Sequence, residues 1–254
     1  MNASIMESPS ATQRRVDESR VENSDSDWKP LYRIGGAAAL ASIACIVLAV
    51  AVFLAWPPPT TIPGHFTLLR QNPLIGLLDL DLLMMASYAV LPLLYLALYA
   101  ALRRASPSLM TIALASSFVS VAIYLGTNPA FAMLSLSDQY ATAATEAQRS
   151  SLVAAGQAVF ANSVGSAFDV SYILGAVAAL LIAAVMLRSN IFGKATAYLG
   201  LLMGILMIVP ATVGTFGLVL SLLSLAPTTI WLVLVALRLF QLGRSAVMGG
   251  AHRT

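Results

Sequence analysis

Charge is what this chain of 254 residues has least of: only 10% of its residues are Asp, Glu, Lys or Arg, against 59% that are hydrophobic. A soluble domain of that length needs a more polar shell, so an apolar medium must cover much of its surface. Histidine is scarce too, with His65 and His252 alone. They fall between apolar runs and in the C-terminal tail, leaving little material for His-based metal sites, haem ligation or a general base inside a bundle. The single Cys45 excludes an intrachain disulfide and reads as a small buried hydrophobe. No lysine lies within an apolar run, which excludes a retinal-type Schiff base, and there is no Walker loop or dinucleotide fingerprint. Ser166 after Gly165 lacks the helix-borne His that an intramembrane serine nucleophile requires. No cofactor, metal or nucleic-acid partner is expected, and an enzyme is not the leading expectation.

What is present is long apolar sequence, with a mean hydropathy of +0.84. A bilayer core about 30 Å thick needs about 20 apolar residues per helical crossing. Six stretches meet that requirement: 34–56, 77–102, 109–133, 170–187, 195–223 and 227–242. They are continuous where barrel strands would alternate, so the sequence predicts an all-α integral membrane bundle of six transmembrane helices. Pro57, Pro58 and Pro59 end the first run, Asn72 and Pro73 introduce the second, and Pro227 is expected to start the sixth. Pro92 and Pro210 fall inside runs and are expected to kink them.

The bilayer is therefore the first expected partner, and the short loops orient the chain in it. Lys29, Arg33, Arg103, Arg104, Arg188, Lys194, Arg238 and Arg244 fall on one side of the six runs, whereas Arg70 and Arg149 alone fall on the other. By the positive-inside rule both termini are cytoplasmic. Residues 1–28 mix acids, arginines, Ser and Asn and read as a disordered cytoplasmic tail; residues 29–244 are the transmembrane domain and 245–254 a short cytoplasmic tail.

Between the third and fourth runs lies most of the external mass. Thr145 and Gln148 have capping-box spacing, and Leu152, Ala155, Gly156, Val159 and Phe160 then recur on one helical face. This extra amphipathic helix is expected either as a short lid or as an extension of the fourth span. On the fifth run, Gly200 and Gly204 make a small-residue face for close helix packing within the chain or between copies.

Several local features together resemble a bacterial family. Leu187-Arg188-Ser189 with Phe192-Gly193, then Tyr198-Leu199-Gly200-Leu201, Gly214, Pro227, Trp231 and Arg238-Leu239-Phe240, are similar to the multi-pass membrane family called domain of unknown function 4386. Arg33-Ile34-Gly35-Gly36 and the acid-led second run fit the same likeness, which extends over roughly residues 28–243. The resemblance implies a bacterial inner-membrane protein and carries over no activity or catalytic residue.

Three acids carry the functional expectation. Asp79, Asp81 and Asp169 stand at the leading edges of apolar runs, where a carboxylate is costly without a partner, a wet cavity or a role. At about 1.5 Å per residue, Asp81 lies about 33 Å from Arg103 and Asp169 about 29 Å from Arg188, so both belong to the exoplasmic boundary. On a continuous helix Asp79 and Asp81 would point about 200° apart and could not share one interior. Helix capping accounts for such acids in the simplest case. The sharper expectation is an acidic mouth for a small cation or basic solute, with Asp169 and one of Asp79 or Asp81 converging, in a transport or binding protein. The alternative is a non-catalytic partner or regulatory subunit of another membrane complex, and homo-oligomers are compatible with either. Tyr88, Tyr95 and Tyr99 recur at helical spacing as core aromatics or as the lining of a polar path.

The orientation has a direct check. In a background lacking Cys45, a cysteine at Ser151 should react with an impermeant thiol reagent added outside the cell, and one at Ser189 should not. The reverse labelling would invert the topology.

Overall fold

The computed structural model describes residues 28–244, and the two tails read from the sequence lie outside them, Trp28 excepted. Ten helices and no strand occur among the described residues: α1 (Lys29–Ala55), α2 (Ile62–Gln71), α3 (Pro73–Asp79), α4 (Leu82–Leu102), α5 (Pro107–Thr127), α6 (Ala130–Thr142), α7 (Glu146–Ser163), α8 (Ser166–Arg188), α9 (Lys194–Leu206) and α10 (Gly214–Arg244). Five helical segments are long and apolar enough to cross a membrane: α1, α4, α5 with α6, α7 with α8, and α10. The α9 helix has 13 residues and reaches about 20 Å, short of a full crossing.

Six helices close a ring. α1 packs between α4 and α10, α4 meets α5, α5 runs along α8, and α9 lies between α8 and α10. The ring is filled by Leu94, Leu98, Leu102, Ile182, Met186, Val235 and Leu239, all essentially solvent-free. Side chains stay small where backbones meet. A Cβ at Gly35 would lie 2.3 Å from the Ala97 methyl, and one at Gly200 would lie 2.8 Å from Trp231 Nε1. Gly200 and Gly204 thus serve packing within the chain, the latter against Leu180.

The basic residues gather at the end nearest this dry core. Arg33 donates to the Gly243 carbonyl at 3.1 Å, Arg238 donates to the Ile191 carbonyl, and Arg103 lies over the Trp28 ring at 4.6 Å. These contacts tie the start of α1, the α4–α5 and α8–α9 turns and the end of α10 to one end of the bundle. The cations also complement the carbonyl ends of helices there.

A smaller layer caps the opposite end. α2 packs on α3, α6 and α7 around Phe66, Leu69, Leu80, Ala130 and Met133. Three of the four cap helices have a local start signal: Thr61 Oγ1 accepts from Gly64 N, Asn72 Oδ1 from Ile75 N, and Thr145 and Gln148 form a reciprocal capping box. The chain breaks at Val164 and Gly165, so α7 is not a smooth extension of α8. Val153, Val159 and Phe160 pack into the cap core, with Gly156 seated on α2.

Three elements depart from the sequence reading. The expected third run to residue 133 is interrupted at Asn128 and Pro129, between α5 and α6. The expected second run from residue 77 is interrupted at Leu80, and the long helix begins at Leu82, which puts Asp79 and Asp81 outside it. The expected fifth run to residue 223 stops at Leu206, and the last helix starts at Gly214 rather than at Pro227, which sits inside it. Pro210 supplies no backbone N–H, and Gly214 takes a left-handed φ of +59°, so the chain reverses there without a Cβ clash. Around Pro227, Thr228 and Ser224 hydroxyls bond carbonyls of the preceding turn, the local accommodation that apolar surroundings require.

A Cβ at Gly156 would approach Ile62 Cγ2 to 2.6 Å and Phe66 Cζ to 3.0 Å. Gly156→Leu should therefore destabilise the cap by about 1–3 kcal/mol through overpacking. Faster proteolysis between Thr142 and Ser166, with membrane insertion unchanged, is the expected readout; unchanged cleavage would show that α7 is not docked.

Candidate functional site

The acids occupy the rim between cap and bundle, and a backbone irregularity puts them together. Asp81 has φ +65°, the only positive φ at a non-glycine among the described residues. Aspartate tolerates that region better than most residues, at some cost in strain. The turn at Leu80–Asp81 breaks helical phasing, so Asp79 and Asp81, expected on opposite faces, line the same two cavities. One cavity of about 500 Å³ is bounded by Tyr124, Asn128, Phe168 and Thr212. The other, about 960 Å³, opens toward Pro58, Thr61, His65 and Gln157. Phe160 and Val164 border both.

His65 completes this rim and was set aside in the sequence as a loop residue. It sits on α2 with its side chain 7% exposed, its ring 5.3 Å from that of Phe160 and its Nδ1 3.2 Å from Asp79 Oδ2. The legible signal was the α2 start itself, Thr61 followed by Pro63, with Phe66 and Leu69 three residues apart. The Asp79 side chain is 4% exposed, and its Oδ2 has the His65 contact, outside ideal hydrogen-bond geometry, as its one polar neighbour. Burial pushes the Asp79 carboxyl above its ordinary 3.8, with the charge and polar contact of His65 pulling the other way. Asp81 keeps a face open to the cavities yet is crowded by protein on its remaining sides. That desolvation, and then the charge of Asp79, raise its pKa above 3.8.

Asp169 takes a different position. It lies in the first turn of α8 and accepts a short hydrogen bond from Thr212 Oγ1, in the segment joining α9 to α10. Thr212 faces the cavity that holds Asp79 and Asp81, while Asp169 itself is not part of its wall. The structure thus brings two of the three acids together and assigns the third to holding the 207–213 connection. No cluster of three or more His, Cys, Asp or Glu suited to a metal occurs among the described residues.

Beneath the rim lies an aromatic layer. The Tyr88 and Tyr124 rings stack at 3.8 Å, Phe168 leans on Tyr124 at 6.4 Å, and Tyr172 follows at 5.9 Å. Tyr124 and Phe168 face the rim cavity, whereas Tyr88, Tyr95 and Tyr172 face a separate cavity of about 230 Å³ at the ring centre. Ala211 of the broken segment touches both.

Helices of membrane-crossing length and composition, several in one chain, define a multi-pass membrane protein in contact with lipid. No family model, curated protein or solved structure matches the chain.

The raised pKa of Asp81 sets a pH dependence. A carboxyl that holds its proton more tightly folded than unfolded contributes stability fully below about pH 3.8, and that contribution is lost as pH rises through the folded-state value. Asp81→Asn is neutral throughout and accepts the left-handed backbone. Between about pH 4 and about pH 8, wild-type melting temperature should fall relative to that of Asp81→Asn; parallel curves would mean that Asp81 is fully solvated.

Proposed function

We propose that this chain is a six-span bacterial inner-membrane protein with cytoplasmic termini, whose exoplasmic acidic mouth at Asp79 and Asp81 binds a small cation or basic solute. The resemblance to domain of unknown function 4386 belongs to the same proposal. One observation carries it: Asp79 Oδ2 is a buried carboxylate oxygen whose one polar neighbour is His65 Nδ1 at 3.2 Å, beside a second carboxylate and between two cavities. Two carboxylates with one imidazole between them are costly to bury, and a bound cation or ammonium donor would offset that cost. The like charge of Asp81 adds to the attraction and draws cations into the cleft.

The broken fifth crossing supports the reading. In it α9 and the irregular segment 207–213 together traverse the bilayer, and irregular backbone at membrane depth is tolerated where it is buried in protein or lines a cavity. Ala211 and Thr212 line the rim cavity and Met207 the central one. Discontinuous helices commonly mark binding sites in membrane proteins.

The test is a thermal-shift titration of the purified protein with alkali cations, divalent cations and methylammonium, at constant ionic strength. At least one should stabilise the wild type saturably and lose its effect in both Asp79→Asn and Asp81→Asn. If those variants and the wild type respond alike to every probe, the mouth does not bind cations.

A further inference from the structure

The central cavity differs from the mouth in every chemical respect. All six ring helices contribute to it, through Ser42, Tyr95, Val121, Tyr172, Met203 and Trp231 among others, and no charged side chain lines it. Leu94 of the dry core stands in its wall, and the stacked rings of Tyr88, in its wall, and Tyr124, in the wall of the rim cavity, lie between the two. One of its wall residues, Ser42, is 0% exposed and has a buried Oγ without a partner; the Trp231 indole also lines the cavity, but its unpartnered Nε1 lies against Gly200 of α9. Ser42 is unusual in this respect. Ser117, Ser224 and Thr228 satisfy themselves on carbonyls of their own helices, and Ser120 and Ser171 bond each other across α5 and α8.

We infer that this cavity is a second site, separate from the acidic mouth, that takes a small neutral molecule with an apolar body and one hydroxyl or carbonyl group. The charge balance decides against a cation: with no carboxylate in the wall, a buried positive charge would keep little of its hydration free energy, and an aromatic face returns only about 2 kcal/mol or somewhat more in desolvated settings. The unmatched Ser42 hydroxyl decides in favour of a ligand with one polar group, since it can both donate to and accept from a hydroxyl and can donate to a carbonyl. The cavity is smaller than those that hold drug-sized ligands, which run from about 300 Å³, so a short-chain molecule fits it best.

The experiment uses full-length protein in lipid nanodiscs with Trp28→Phe and Trp56→Phe, leaving Trp231 as the only fluorophore. Titration with 1-hexanol should shift Trp231 emission saturably. Ser42→Ala should weaken binding about 3- to 10-fold, the worth of one hydrogen bond, and Ser87→Leu, which puts bulk into the cavity, should abolish it. Hexylammonium, matched in length, should bind at least about tenfold more weakly. A response linear in hexanol and equal in all variants would reflect partition into lipid and overturn the inference, as would hexylammonium binding as tightly as hexanol. The neutral probe makes no demand on Asp79 or Asp81, so failure here leaves the reading of the mouth standing.

Discussion

A helix in an apolar medium satisfies its own backbone, and any interruption must find other partners. This constraint organises the molecule. The ring helices run without interruption near the basic end, where the core is dry, and the interruptions collect at the other end, at Leu80–Asp81 and at 207–213. Both have compensations. Met85 N bonds back to the Asp81 carbonyl to start α4, Thr212 is held by Asp169, and Gly217 N reaches the Val213 carbonyl to start α10. Irregular backbone is therefore confined to one end, and the polar groups that accompany it become a site.

The cap makes that confinement possible. Asp79 would be an exposed headgroup acid if α2 and α7 were absent; under them it is buried against His65, with the Phe160 ring tilted against the imidazole. The surface pair between Arg70 and Asp138 joins α2 to α6 but is solvent-exposed, so its contribution is at most about 1 kcal/mol. Apolar packing of Phe66, Leu69 and Met133 holds the cap, and the ionic site depends on it rather than the reverse.

How much of this was legible follows from the kind of signal each feature leaves. Apolar run length located the bundle, because hydrophobicity is summed over many residues and survives local error. The basic end was legible for the same reason, being spread over eight residues in four chain segments. Capping at Thr145 was legible because the chemistry is local. The break at Asp81 was not: it occupies one residue between two apolar stretches, and left-handed aspartate leaves no periodicity to read. Continuity of hydropathy across Leu206 to Gly214 likewise concealed the end of α9, since Met207, Ile208 and Val209 are as apolar as the helix they terminate. His65 was hidden by sequence distance, as its partner is fourteen positions away across a helix boundary.

The rim cavities and the central one divide the chemistry between them. A cation at the rim meets carboxylates and water, whereas beyond the Tyr88–Tyr124 stack it would meet rings, hydroxyls and no counter-charge. In low dielectric that difference is large compared with any cation–π attraction the tyrosines offer. The arrangement therefore favours retention of charge at the rim over its passage through the centre, in the conformation described. A route for a charged solute would require the aromatic layer to part and a carboxylate to follow the cation inward. Asp81 stands on a left-handed turn immediately before α4, with its N–H on the Leu78 carbonyl and its own carbonyl on Met85 N, so such a movement would have to break the start of α4.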